Sequence, residues 1–255
     1  MKVSVVIPAY NEEAYIGACL DSLLKQQIPP DEIIVVDNNS TDNTAKIVKK
    51  YPVRLLREKK QGRASARNKG FNAAKYEIIA RTDADSIAPP KWIKKIKQNF
   101  LDEKLIALSG HPRFYDFPDK AEKAYRVSAR IGFNAYIRIT KSILHHDIIN
   151  GFTMAIRKNA WDKIKNDVCL DEDEIHEDLD LAIHLAPLGN IKLDKTFTVR
   201  TSFRRWESIE KWVNYTYRVI SSITKHKQFK LEHKSKKFAK KFLEKIRSLD
   251  QEHKI

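Results

Sequence analysis

The hexapeptide EIIVVD (residues 32–37) joins four consecutive β-branched apolar side chains to a terminal carboxylate. A short run with no polar alternation reads as a strand buried on both faces. On its N-terminal side, residues 12–26 carry Ile16, Cys19, Leu20, Leu23 and Leu24 at helical spacing, preceded by a second apolar run, VSVVIP (3–8). On its C-terminal side, Ser40 or Thr41 can cap a helix through about Lys50, before the third strand VRLLRE (53–58). A helix from Gly62 to Ala74, the strand EIIART (77–82) and a helix from near Lys91, after Pro89-Pro90, follow. This alternation predicts an α/β protein: a mostly parallel sheet with helices on both faces.

Downstream the rhythm loosens. LIALSG (105–110), FTMAIR (152–157) and residues 191–200 read as extended; 119–144, 157–165 and 176–187 read as helical. Trp206, Ile209, Trp212, Val213, Val219, Ile220 and Ile223 fit an amphipathic helix, and Phe238, Phe242, Ile246 and Leu249 line a Lys-rich terminal one. One continuous domain over 1–206 is expected, with a basic helical tail over 207–255.

The formal net charge is +15, of which +9 lies from Arg204 onward (15 Lys/Arg against 6 Asp/Glu). Such a tail suits an anionic surface, and residues 230–255 could lie on anionic lipid. Aromatic and basic residues do not interleave as in a nucleic-acid module, so nucleic acid is not an expected partner. No apolar run reaches the ~20 residues of a membrane span, and the N-terminus lacks signal-peptide features. A cytoplasmic protein is expected, peripheral on the membrane at most. Cys19 and Cys169 match no metal spacing, and the eight histidines show no H-x-x-x-H pattern on a plausible helix, so zinc has no support.

Against this basic background stand two acidic sites. Asp83 and Asp85, in RTDADS, follow the fourth strand, and seven acids fall within DEDEIHEDLD (171–180). Like charges this close persist where a cation neutralises them, where solvent screens them, or where chemistry needs a base. Ligands of parallel sheets bind beyond the carboxyl ends of the strands, where Asp37 and Asp83 both stand. On extended backbone, residues i and i+2 point the same way, so Asp83 and Asp85 can face one hard cation.

Six segments in order, VSVVIPAYNEE, IIVVDNNSTDNT, GRASARNKG, ARTDADS, NGFTMAIRKNAW and HEDLDLAIHLAPLG, resemble the family 2 glycosyltransferases of GT-A fold. The likeness covers roughly residues 1–206. It implies a Rossmann-like nucleotide-binding half (about 1–110) and an acceptor-binding half (about 111–206). Pro8, Ala9, Tyr10 and Glu12 would line the nucleotide pocket, Asp37 would read the base, and Arg67 would lie beside the nucleotide. Arg63, Arg204 and Arg205 would meet the diphosphate. Asp85 would ligate Mn²⁺ or Mg²⁺, with Asp83 serving ribose or metal. Glu177-Asp178 matches the family's acidic pair, with Asp178 as catalytic base. The implied activity is inverting transfer from a nucleoside-diphosphate sugar, expected to be a UDP-sugar, to a saccharide or lipid-linked acceptor. Two other readings stand beside it: a sugar nucleotidyltransferase, disfavoured because the first strand leads into acidic PAYNEE, and a non-catalytic nucleotide-sugar or membrane-surface binding module.

Overall fold

The computed structural model describes residues 1–116, 134, 136–170, 175–204 and 209–226. Eight strands form one sheet: β1 (Val3–Ala9), β2 (Glu32–Asp37), β3 (Arg54–Arg57), β4 (Ile78–Thr82), β5 (Ser86–Ile87), β6 (Leu105–Phe114), β7 (Thr153–Arg157) and β8 (Asn190–Thr201), in the order β3-β2-β1-β4-β7-β6-β8-β5. The helices are α1 (Ile16–Leu24), α2 (Thr44–Val48), α3 (Arg63–Ala73), α4 (Trp92–Asn99), α5 (Lys158–Ile164), α6 (Glu177–Leu185) and α7 (Ile209–Lys225). Residues 136–144 are also helical.

The first four long strands pair in parallel, as their continuous apolar runs require. Their side chains divide with period two between two cores. Val3, Val5, Ile7, Ile33 and Val35 pack with α1 and with Trp92, Ile93 and Ile96 of α4. Val6, Ile34, Val36 and Ile79 pack on the other face with Phe71 of α3, Trp161 of α5 and Leu181 and Leu185 of α6. Trp161 is fully buried, edge-on to Phe71 at 5.2 Å, and its indole N–H donates to Asn72 Oδ1. It is a core residue rather than a sugar platform.

The second half is mixed. Strand β7 runs antiparallel to β4, with Thr82 opposite Thr153, and antiparallel to β6. This reversal places the site. Because β7 runs backwards, the loop that precedes it, Asn150-Gly151-Phe152, arrives at the carboxyl edge of the parallel strands. Strands β6 and β8 lie so close that a Cβ on Gly110 would sit 1.8 Å from the Phe197 carbonyl oxygen. Helix α7 packs Val219 and Ile223 against Leu144, Ile148, Leu179 and Ile183, so the start of the expected tail is built onto the body.

One local expectation needs correction. Neither Ser40 nor Thr41 caps α2, which starts at Thr44; Asp42 Oδ1 instead accepts the Thr44 N–H at 2.9 Å. The Ser40 and Thr41 groups turn to the neighbouring loop, where Asn11 N–H donates to Ser40 Oγ and Asn11 Oδ1 accepts from Thr41 N–H. The terminal helix with Phe238, Phe242, Ile246 and Leu249 lies outside the described residues. Among the described residues no helix is long and apolar enough to cross a membrane.

Candidate active site

A cleft of about 500 Å³ opens at the carboxyl edge of the parallel strands, within the usual range for a small-molecule site. Pro8 and Ala9 line it from the end of β1 and Tyr10 and Glu12 from the loop after it, Asn38 from just past β2, Arg63 and Ala66 from α3, Arg81 from β4 and Asp83 from just past it, and Arg204 from beyond β8. The β1 loop is fixed from below: Glu12 N–H donates to Thr44 Oγ1 at 2.8 Å, and Glu13 N–H to Asp42 Oδ2 at 3.0 Å.

At the centre stands Arg81, fully buried in β4 between Ala80 and Thr82. A buried cation is costly unless paired and hydrogen-bonded. Here Nη1 donates to Asp178 Oδ1 at 3.0 Å, while Nη2 reaches Glu177 Oε1 at 3.1 Å and Asp83 Oδ1 at 3.3 Å. One guanidinium therefore ties the acid after β4 to both acids opening α6. Asp178 is fixed a second time: its Oδ2 accepts the Gly151 N–H at 2.8 Å. Burial alone would raise the Glu177 pKa, but Arg81, with Arg63 and Arg67, pulls it down to about 2. Helix α6 opens on three acids in its first turn, which suits its positive dipole end, and His176 Nδ1 caps it by accepting the Leu179 N–H.

A second knot holds Asp85, which is buried. Its Oδ1 accepts from Thr201 Oγ1 at 3.3 Å, and its Oδ2 accepts from Arg204 Nε and Nη2 at 3.2 and 3.0 Å. Arg204 Nη2 also donates to the Glu12 carboxylate, and the guanidinium lies over the Tyr15 ring at 4.5 Å. Arg204 thus bridges Glu12, which lines the cleft, and the buried Asp85. Burial, and then Asp85, Asp83 and Glu12, push the Cys19 thiol far up, so it is an inert core thiol in a strongly negative field.

Several sequence-selected residues take unexpected positions. Arg67 does not present itself to a ligand. It is fully buried, with Nη1 on the Glu177 carbonyl at 2.9 Å and Nε on Asn68 Oδ1 at 2.9 Å. One turn further along α3 than Arg63, it reaches the start of α6 instead of the cleft. Asp37 is buried at the end of β2, and its Oδ1 accepts the Ser40 N–H at 3.2 Å. Its neighbour Asn38 faces the cleft, donating to the Glu58 and Lys60 carbonyls and accepting the Gly62 N–H. Arg205 and the acids at 171–174 lie outside the described residues.

Sequence reasoning missed Arg81, Gly151 and Asn38. For Arg81 a signal existed: an arginine inside an apolar strand must find anions, and acids within reach had to be sought elsewhere in the chain. Gly151 had none, because its role is defined by what crowds it.

Solved structures share this architecture. The mannosyltransferase PcManGT from Pyrobaculum calidifontis, in complex with GDP-Man and Mn²⁺, superposes with a TM-score of 0.68 at 22% identity, over 88% of this chain and 63% of that one. Glucosyl-3-phosphoglycerate synthase from Mycobacterium tuberculosis, in complex with Mn²⁺, UDP and glucosyl-3-phosphoglycerate, gives 0.59 at 17%, over 88% and 79%. These likenesses define the fold as the GT-A scaffold of such enzymes. The family model for glycosyl transferase family 2 matches residues 4–163, and the chain belongs to that family. Among curated relatives, glycosyltransferase GlyG of Streptococcus pneumoniae serotype 4 (strain ATCC BAA-334 / TIGR4) is 36% identical over 123 residues, 46% of this chain and 41% of its own length. Chondroitin synthase of Pasteurella multocida (strain Pm70) is 34% identical over 110 residues, 41% of this chain and 11% of its own. The chain therefore spans well under half the length of these two relatives.

Proposed function

We propose that this chain transfers a sugar, with inversion, from a nucleoside-diphosphate sugar to a hydroxyl of a saccharide or lipid-linked acceptor. The observation that carries this reading is the Arg81 guanidinium, 3.0 Å from Asp178 and 3.3 Å from Asp83. It ties Asp83, which lines the cleft, to the candidate base through one cation, which supports a single small substrate meeting both.

The donor half, about residues 1–110, would bind the nucleotide between the β1 loop and Asn38, and residues 111–206 would receive the acceptor. A UDP-sugar is the favoured donor: Asp37 at the end of β2 supplies a carboxylate able to accept the imide N–H of uracil. Arg63 faces the cleft where a diphosphate would lie. The candidate donor set, Asp83 on the cleft with Glu12 and the buried Asp85 joined to Glu12 through Arg204, is all oxygen, which fits Mn²⁺ or Mg²⁺ held by one or two carboxylates plus phosphate oxygens. When bound, such an ion neutralises the leaving diphosphate, so no general acid is needed. Arg204, now on Glu12 and Asp85, would release part of that contact and turn to the phosphates.

Asp178 then takes the proton of the acceptor hydroxyl. The acceptor oxygen bonds to the anomeric carbon from the face opposite the diphosphate, the bond from that carbon to the diphosphate oxygen breaks with its electron pair, and the configuration inverts. Two fixed contacts, from Arg81 and Gly151, leave Asp178 little freedom to miss its target. Glu177, held ionised by the arginines around it in spite of its burial, serves the electrostatics and does not accept the proton.

Asp178→Asn should abolish transfer while nucleotide binding persists; transfer retained in that variant would reject the base. Hydrolysis of a panel of UDP-, GDP- and dTDP-sugars with Mn²⁺ identifies the donor. The basic tail at 230–255 is proposed to touch anionic membrane. Liposome flotation with and without those residues tests it, and equal flotation rejects it.

A further inference from the structure

The structure carries a second ligand cluster that the transfer reaction does not use. Asp180 and His184 sit one turn apart on α6, and His226 follows the end of α7. Among the described residues these are the three whose ligand atoms all lie within 4.8 Å of one another. Asp180 Oδ1 lies 3.2 Å from His226 Nε2 and 3.5 Å from His184 Nε2, and the two Nε2 atoms are 3.4 Å apart. Ligands about 2.0–2.1 Å from a tetrahedral ion lie about 3.3 Å from each other, so this triangle has the dimensions of one tetrahedral face.

The supporting contacts agree. His226 Nδ1 lies 2.7 Å from the Ser222 carbonyl oxygen. A carbonyl can only accept, so Nδ1 carries the proton, and in the neutral ring Nε2 offers its lone pair to the triangle. Asp180 is almost wholly buried, and its Oδ2 accepts the Cys169 N–H at 2.9 Å. Its other oxygen, Oδ1, is buried and takes no well-directed hydrogen bond. A buried carboxylate oxygen and two imidazole nitrogens thus converge on one point, with the two Nε2 atoms at a hydrogen-bond distance whose donor depends on the tautomer of His184.

We infer that Asp180, His184 and His226 form a site for one borderline divalent transition ion, Zn²⁺ by class, that fastens α7 to the helix carrying Glu177 and Asp178. Two imidazoles and a carboxylate suit such an ion far better than Mg²⁺ or Ca²⁺. Three protein ligands leave a fourth position open, and the partly exposed histidines admit solvent to it. Asp180 and His184 carry a D-x-x-x-H spacing on α6, whereas the third ligand stands just past the end of α7, 42 residues after His184, so no paired-histidine spacing marks the site.

The test uses the full chain, stripped with chelator and titrated with Zn²⁺ by calorimetry, with bound metal counted after gel filtration. One equivalent is expected in the wild type and in Asp85→Asn. His226→Gln and His184→Gln should each lose it. Co²⁺ bound to the wild type should show the intense visible bands of tetrahedral coordination, which a misfolded variant cannot confuse. Failure of the wild type to hold an equivalent, an octahedral Co²⁺ spectrum, or retention of the ion in both histidine variants would overturn the site. Failure to bind would leave a proton shared by His226 and Asp180 as the occupant, and would leave the glycosyltransferase reading untouched.

Discussion

Gly151→Ala is the sharpest probe of the site, because it alters one atom and no charge. A Cβ there would lie 2.8 Å from Arg81 Cζ, Arg81 Nη2 and Asp178 Oδ2, where ordinary contact begins near 3.4 Å. Something must move by about 0.6 Å. A free side-chain end would yield cheaply, but both groups are pinned. Asp178 is held by Arg81 at 3.0 Å and by the Gly151 N–H at 2.8 Å, and Arg81 is held by two further carboxylates. Relief therefore breaks a hydrogen bond to a charged group, a loss of about 1.5–3 kcal/mol, and shifts the base. A misplacement near 1 Å costs on the order of 10²-fold in rate. With a smaller displacement, kcat should fall between about tenfold and about 100-fold, or about 1.4–2.7 kcal/mol in the barrier. Donor binding should hold, because Gly151 does not line the nucleotide side of the cleft. Steady-state transfer assays with donor titration by calorimetry separate the two. A folded Gly151→Ala protein with a kcat within about twofold of wild type would refute the claim that Asp178 works from this position.

Arg81→Met removes a cation shared by Glu177, Asp178 and Asp83; breaking a buried ionic network by one partner should cost about 3–5 kcal/mol, read by urea denaturation. Acid should expose the same network. The Glu177 pKa is lowered on folding from an ordinary value near 4.5 to about 2, so its stabilisation is complete above about pH 4.5 and is lost as pH falls toward 2. Denaturation midpoints over that window should drop steeply in the wild type and less in Glu177→Gln. Arg204→Ala frees the Glu12 and Asp85 carboxylates from their shared cation, so Mn²⁺ should bind the nucleotide-free protein more tightly; unchanged affinity by calorimetry would show that Arg204 does not guard the metal ligands. Gly110→Ala would drive a Cβ into the Phe197 backbone, which cannot rotate away, and should leave little soluble folded protein, checked by circular dichroism of the purified fraction.

The sequence by itself determined the parallel half. Apolar runs at 3–8, 32–37, 53–58 and 77–82, separated by helix-spaced segments, admit few arrangements other than strands buried between helical layers, because a strand with no polar face must be covered on both sides. The positions of Asp83, Asp85 and Glu177-Asp178 were legible too, since charge density and motif order are properties of the chain itself. Tertiary structure alone decided how these acids are used. The antiparallel entry of β7 brings Gly151 to Asp178, and Arg81, 3.0 Å from Asp178 in space yet 97 residues away in sequence, becomes the hub of the site. Likewise Arg67, which the family resemblance set beside the nucleotide, is turned inward onto the Glu177 carbonyl, and His226 reaches Asp180 across two helices. A charge in sequence carries no partner with it; only the folded chain selects which distant opposite charge is near enough, and dry enough, to matter.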